Sequence, residues 1–109
     1  MSDATDPIRE AAAAFPDVES GTACNQTSFK VGKGKFLFIG PGAKGIGFKA
    51  MFKLDASMDQ ARKLEAESPD RFGVGNTGWV SVRFSDEAPL AENIWRPWLE
   101  ESHELTVRK

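Results

Sequence analysis

The chain predicts an α+β fold: a single compact domain in which an antiparallel β-sheet is flanked by helices, in the order α-β-β-β-α-β-α. Three observations carry this. Apolar and polar residues alternate along 46–53 and 79–84, the period of a half-buried strand. Apolar residues recur every three or four positions along 6–15, 57–67 and 90–107, the period of a helix with one buried face. The length of 109 residues suits one domain, able to bury roughly two-thirds of its unfolded surface in one core.

Residues 6–15 form the first expected helix. Asp6 is suited to the N-cap and Pro7 to the first helical position. Ile8, Ala11, Ala12 and Phe15 share a face, and Pro16 ends the helix. Residues 17–21 are acidic and finish in glycine, as a loop does. From Thr22 to Val31 the pattern suits a strand, with Thr27, Phe29 and Val31 alternating with Ser28 and Lys30. Gly32-Lys33-Gly34 is a turn. In the strand Lys35–Ile39, strict alternation places Phe36 and Phe38 on one face and Leu37 and Ile39 on the other, so it is expected to be central and covered on both sides.

Gly40 to Gly45 form a second turn. The next strand sets Ile46, Phe48, Ala50 and Phe52 inward and Gly47, Lys49, Met51 and Lys53 outward. In helix 57–67, Ser57 is the N-cap, and Met58, Ala61 and Leu64 make the apolar edge. Residues 69–78 are read as loop. Strand 79–84 opposes Val80, Val82 and Phe84 to Trp79, Ser81 and Arg83. In 90–107 the stripe is Leu90, Ile94, Trp98 and Leu105, flanked by Trp95 and Leu99. Pro97 either kinks one helix or sits early in a second.

Composition is that of an ordinary globular protein, 40% hydrophobic and 28% charged. A pI near 5.4 argues against a dedicated nucleic-acid coat protein but leaves room for a local basic face. Cys24 is the single cysteine, which excludes an intramolecular disulfide and fits a reducing compartment. The first fifteen residues carry acids and no apolar signal core. No apolar run approaches the ~18 residues that span a bilayer. The expected location is cytoplasmic, without membrane partners, as a monomer.

The charge is unevenly placed. Of fourteen basic residues, six lysines fall between Ser20 and Leu54, where there is no carboxylate. That stretch carries +6 and the remainder −8, for a net −2. Lys30, Lys33, Lys35, Lys44, Lys49 and Lys53 would make two basic hairpin wings for phosphates. Trp79 and Arg83 share a strand face and extend the surface with a ring for base stacking or for a flat aromatic ligand. The plainer reading is that lysines blunt strand edges and Trp79 is core beneath the last helix.

Other motifs carry less. Gly40-x-Gly42-x-x-Gly45 and Gly73-x-Gly75-x-x-Gly78 both match the dinucleotide fingerprint. Each leads into a strand, however, whereas the fingerprint needs a helix N-terminus to hold the pyrophosphate. Cys24 and His103 are the only residues of their types. Nothing brings them together as nucleophile and base, and they cannot supply a usual zinc site. Glu100, Glu101 and Glu104 read as solvated helix surface, and Arg108-Lys109 suits the negative end of a helix dipole. No catalytic constellation and no cofactor site emerges, so the protein is expected not to be an enzyme.

A set of residues spread through the chain resembles the MmcQ/YjbR family of small bacterial proteins. It comprises Glu19, then Ser28-Phe29-Lys30-Val31, Gly34-Lys35-Phe36-Leu37-Phe38 and Phe48-Lys49. It continues with Pro69 to Phe72, Trp79-Val80-Ser81-Val82 and Glu101-Ser102-His103. The resemblance covers about residues 8–107. His103 departs from it, since the family usually has tyrosine there. The resemblance implies antiparallel strands backed by helices, likened to secretion chaperones and to a double-wing DNA-binding arrangement, and members are commonly labelled DNA-binding. The family name points to a mitomycin gene cluster and so to small molecules. No catalytic residues carry over. The expected partner is DNA, bound weakly and in a salt-dependent way. The alternatives are a small aromatic ligand in an apolar pocket near Trp79, walled by the chain-end helices, or a protein partner at a sheet edge or on the acidic helices.

Overall fold

The computed structural model describes residues 4–23, 26–42, 45–75 and 78–107. The elements in chain order are α1 (Asp6–Ala13), β1 (Val18–Ala23), β2 (Gln26–Val31), β3 (Gly34–Pro41), β4 (Phe48–Lys53), α2 (Met58–Glu67), β5 (Phe72–Val74), β6 (Trp79–Phe84) and α3 (Glu92–Val107). The strands form one six-stranded sheet in the order β1-β2-β3-β4-β6-β5, antiparallel at every pairing. The radius of gyration, 13.0 Å, is that of one compact domain of this length. The α+β antiparallel class holds. The element count does not, because six strands replace the four expected.

The two additional strands had no apolar signal. β1 lies where an acidic loop was expected, and the single strand foreseen over 22–31 is in fact β1 followed by β2. β1 is an edge strand with mostly exposed residues, so Glu19 and Ser20 occupy it without an apolar face to reveal it. β5 is three residues long and interrupted by Gly73, too short for periodicity to register.

The three helices lie on one side of the sheet. α3 packs over β3 and β4, α1 rests on α3 and β1, and α2 lies against β5. Their buried faces (Ile8 and Ala12, Ala61, and Trp95, Trp98 and Leu99) meet Phe29, Leu37, Ile39, Ala50, Phe52, Phe72, Val80, Val82 and Phe84. Trp98 is fully buried, stands edge-on to Phe52 and Phe72, and donates its indole N–H to the Gln60 amide oxygen at 3.0 Å. Arg9 joins α1 to β2 through the Thr27 hydroxyl at 2.9 Å.

Several local expectations change. Asp6 is the first helical residue of α1, with Thr5 in the cap position. Phe15 lies beyond that helix and stacks on His103. Ile46 was expected inside but is 77% exposed. It belongs to the β3–β4 turn, which closes before β4 begins at Phe48. Gly47 ends that turn at φ +65, with a β-carbon position only 2.8 Å from the Phe84 carbonyl oxygen; a side chain there meets both strain and backbone. α3 runs unbroken through Pro97. The carbonyl that proline leaves without its helical donor is that of Asn93, in the exposed first turn, where water can reach it.

The largest departure is in β3. The β2–β3 register passes from Phe29↔Leu37 to Lys30↔Lys35, leaving Phe36 as an extra residue. This is a β-bulge, which reverses the alternation at that point. Phe36 and Leu37, consecutive in sequence, are therefore both fully buried. Phe36 packs edge-on against Phe15 and His103. Strict alternation would have put Lys35 into the core with Leu37 and Ile39. The bulge turns it to the other face, where its ammonium lies 5.6 Å from the Phe38 ring centre. The expectation that β3 is covered on both sides fails, because Phe38 is only half-buried and all the helices lie on the opposite face.

Candidate functional site

With the helices on one side, the other side of the sheet has no second layer among the described residues. Its side chains follow from strand alternation: Gln26, Ser28 and Lys30 from β2, Lys35 and Phe38 from β3, Lys49, Met51 and Lys53 from β4, and Trp79, Ser81 and Arg83 from β6. The strand register arranges them in rows. The central row runs Ser28–Phe38–Met51–Ser81–Gly73 across five strands. On one side of it Lys49 stands opposite Arg83. On the other Lys30 stands opposite Lys35, and Lys53 opposite Trp79. A partly apolar row thus lies between two cationic ones, each about 7 Å away, the span of two residues along a strand.

Electrostatically the arrangement is costly for folding alone. Like charges directly opposite each other on neighbouring strands destabilise a sheet. Glu19 relieves Lys30 with an exposed ion pair of 3.8 Å, which contributes little. Among the described residues no carboxylate lies within 4 Å of Lys49, Arg83, Lys33 or Lys35. The Arg83 guanidinium donates to the Asp70 carbonyl at 3.4 Å, a neutral acceptor. The acidic side chains gather on the helical side, where α3 has four glutamates against one arginine. The molecule therefore presents a basic face and an acidic back, and that field draws anions to the sheet.

Two cavities open here. One, of about 530 Å³, is lined by Gln26, Lys33, Lys35, Phe38, Met51 and Trp79. The Trp79 and Phe38 rings meet in its floor, 5.3 Å apart and inclined at 62°. The other, of about 540 Å³, lies between the β2–β3 turn and the end of α3. It shares Lys33 and Lys35 with the first and adds Lys53 and Thr106. The turn is a two-residue loop with Gly32 at φ +60, a conformation glycine adopts freely, and it raises Lys33 and Lys35 between the two cavities.

Of the residues singled out in the sequence, Lys33, Lys35, Lys49, Lys53, Trp79 and Arg83 come together on this face. Lys30 is on it too, at the β1 margin and paired with Glu19. Lys44, like Cys24 and Arg108-Lys109, lies outside the described residues. Trp79 is not core beneath the last helix but half-buried on the opposite face. No helix therefore walls its pocket; strands and the β2–β3 turn do. Sequence reasoning passed over Phe38 and Gln26 as site residues. The signal for Phe38 was Lys35 itself, since a lysine at a position that strict alternation buries marks a bulge.

The remaining candidates serve the fold. Glu101 receives N–H bonds from Asp55 and Ser57 and the Ser57 hydroxyl, the last at 2.7 Å. Gly40 lies in β3 and Gly73 in β5, and no α-helix of the fold begins at either fingerprint among the described residues. No group of three or more metal-ligating side chains occurs among the described residues. Nor is any helix among them long and apolar enough to cross a membrane. No family model, curated protein or solved structure matches the chain.

Proposed function

We propose that the protein binds nucleic acid through the uncovered sheet face, weakly and without a strict sequence code, as a cytoplasmic protein of the MmcQ/YjbR type. One observation carries the reading: cations stand opposite cations on the one face without helices, and among the described residues Lys49 and Arg83 have no carboxylate within 4 Å. Phosphates supply the missing counter-charge. Lys33, Lys35, Lys49, Lys53 and Arg83 would contact the backbone, with Lys30 marginal. Such contacts position a strand without reading its sequence. The other resident that suits this face is a flat aromatic anion in the Trp79 cavity, favoured by the ring pair in its floor.

Fluorescence anisotropy with labelled single- and double-stranded DNA tests the reading. About four phosphate contacts lower affinity roughly 50- to 150-fold between 50 and 200 mM salt. The double variant Lys49→Glu/Lys53→Glu should fold and lose at least about tenfold in affinity at low salt. An unchanged affinity in the folded variant removes these lysines from the site. Absence of binding at 50 mM salt removes the function.

A further inference from the structure

We infer that the ligand of this face is single-stranded nucleic acid, with an unpaired base stacked in the cavity floored by Phe38, Met51 and Trp79. This rests on the proposed nucleic-acid reading and narrows it to one form.

The face is too broad to enter a groove of duplex DNA. Six strands spaced about 4.8 Å apart make a face roughly 24 Å wide, whereas the major groove of duplex DNA is about 12 Å across and admits a helix or a two-stranded ribbon. The Lys49–Arg83 pair and the Phe38–Met51 row are inside this face, not at a hairpin tip, so a duplex could meet them only with its outer, phosphate-lined surface.

The polarity of the face also suits a single strand. The centre of the face is Phe38, Met51 and Trp79, half-buried and facing out. Pressed against a duplex exterior, these side chains would strip water from phosphates and return nothing. A single strand offers what they can use, because an unpaired base exposes a π-face while its phosphates remain free for flanking lysines. The cavity of about 530 Å³ is of the size that holds a small aromatic group. Gln26 at its margin has an amide with both donor and acceptor, which can meet the edge of any base. Lys33 and Lys35 separate this cavity from its neighbour of about 540 Å³. A strand crossing from one to the other carries its phosphates over those two ammonium groups.

Tryptophan emission makes the test specific. Trp95 is 3% and Trp98 0% exposed, so a ligand on the sheet face reaches only Trp79. The experiment titrates the full chain at 50 mM salt with a fifteen-residue oligothymidylate and with a blunt fifteen-base-pair duplex, by anisotropy of the labelled nucleic acid. Tryptophan emission is then followed with unlabelled oligothymidylate. Tighter binding of the single strand by about tenfold or more, with quenching, supports the inference. Trp79→Ala should weaken the single strand about five- to a hundredfold, and the duplex by clearly less. Trp79→Phe, which keeps a ring, should bind nearly as well as wild type but lose the quenching, and it serves alone if the alanine variant does not fold. Equal binding of the two forms with no effect at Trp79 overturns the inference and leaves the phosphate reading standing. Thymidine monophosphate matching the oligomer nucleotide for nucleotide overturns it in favour of a small-ligand cavity. Binding of neither form overturns both proposals.

Discussion

Ser102 and His103 adjoin in α3 and meet the β3 bulge in opposite ways. Ser102 is fully buried; its hydroxyl donates to the Phe36 carbonyl and accepts the Lys53 N–H at 2.9 Å. It therefore supplies partners to β3 and β4 just past the last pair of their ladder, Leu37↔Phe52. Ser102→Ala leaves both groups in want of one and should cost about 1–3 kcal/mol, read from the urea midpoint. His103 lies parallel to Phe15 with ring centres 4.0 Å apart, and its Nε2 is buried with no hydrogen-bond partner among the described residues. Burial holds its pKa below the usual 6.5. The unfolded chain thus takes the proton first, so stability from this group is full above pH 6.5 and declines as pH falls from there toward the lowered native value. His103→Phe keeps the stack and removes the titration. Between pH 8 and pH 5.5 its unfolding midpoint should fall less than that of the wild type.

At the scale of elements, α2 begins on a carboxylate borrowed from α3. Ser57 holds the cap position without capping through its side chain. Instead Glu101 accepts the Asp55 and Ser57 N–H groups and the Ser57 hydroxyl. Burial alone would raise the Glu101 pKa, but the hydrogen bonds from Asp55, Ser57 and Ala56 outweigh it and set the value below 4.5. The tie is accordingly complete above pH 4.5 and is lost as acid carries the pH down through the native pKa. Glu101→Ala should cost about 0.5–2 kcal/mol, as the loss of a cap does, and should speed amide exchange in residues 55–60 ahead of the rest of the chain. This cap was not legible beforehand, because its two halves are more than forty positions apart. β4, β6 and α2 were legible, because each turns one apolar edge to the core and the sequence repeats accordingly, every second residue in the strands and every third in the helix. That regularity also made the meeting of Lys49, Lys53, Trp79 and Arg83 readable, given the β4–β6 pairing. β1 buries too little to show a pattern. Lys35 was picked out by its charge, but its neighbourhood with Phe38 was hidden by a bulge whose extra residue, Phe36, packs on the remote positions Phe15 and His103.

For the molecule as a whole, a sheet with one covered face separates stability from binding. The helical side holds the core, and the bare side holds the facing cations. A ligand on the bare face raises stability by mass action, about 2.7 kcal/mol at a hundred times its Kd. For a chain of this size that is a rise on the order of 10 °C in Tm, and thermal melts with and without the oligothymidylate should show it. The bulge then leaves a signature in any exhaustive substitution scan scored separately for cellular abundance and for oligonucleotide retention. Along β4 and β6 the even positions (Phe48, Ala50, Phe52, Val80, Val82, Phe84) should limit abundance, and the odd ones (Lys49, Met51, Lys53, Trp79, Ser81, Arg83) should limit retention. Along β3 the teeth of that comb run odd for abundance at Leu37 and Ile39. At Phe36 they slip by one, so that parity alone would tell an experimenter with no coordinates where the strand is bent.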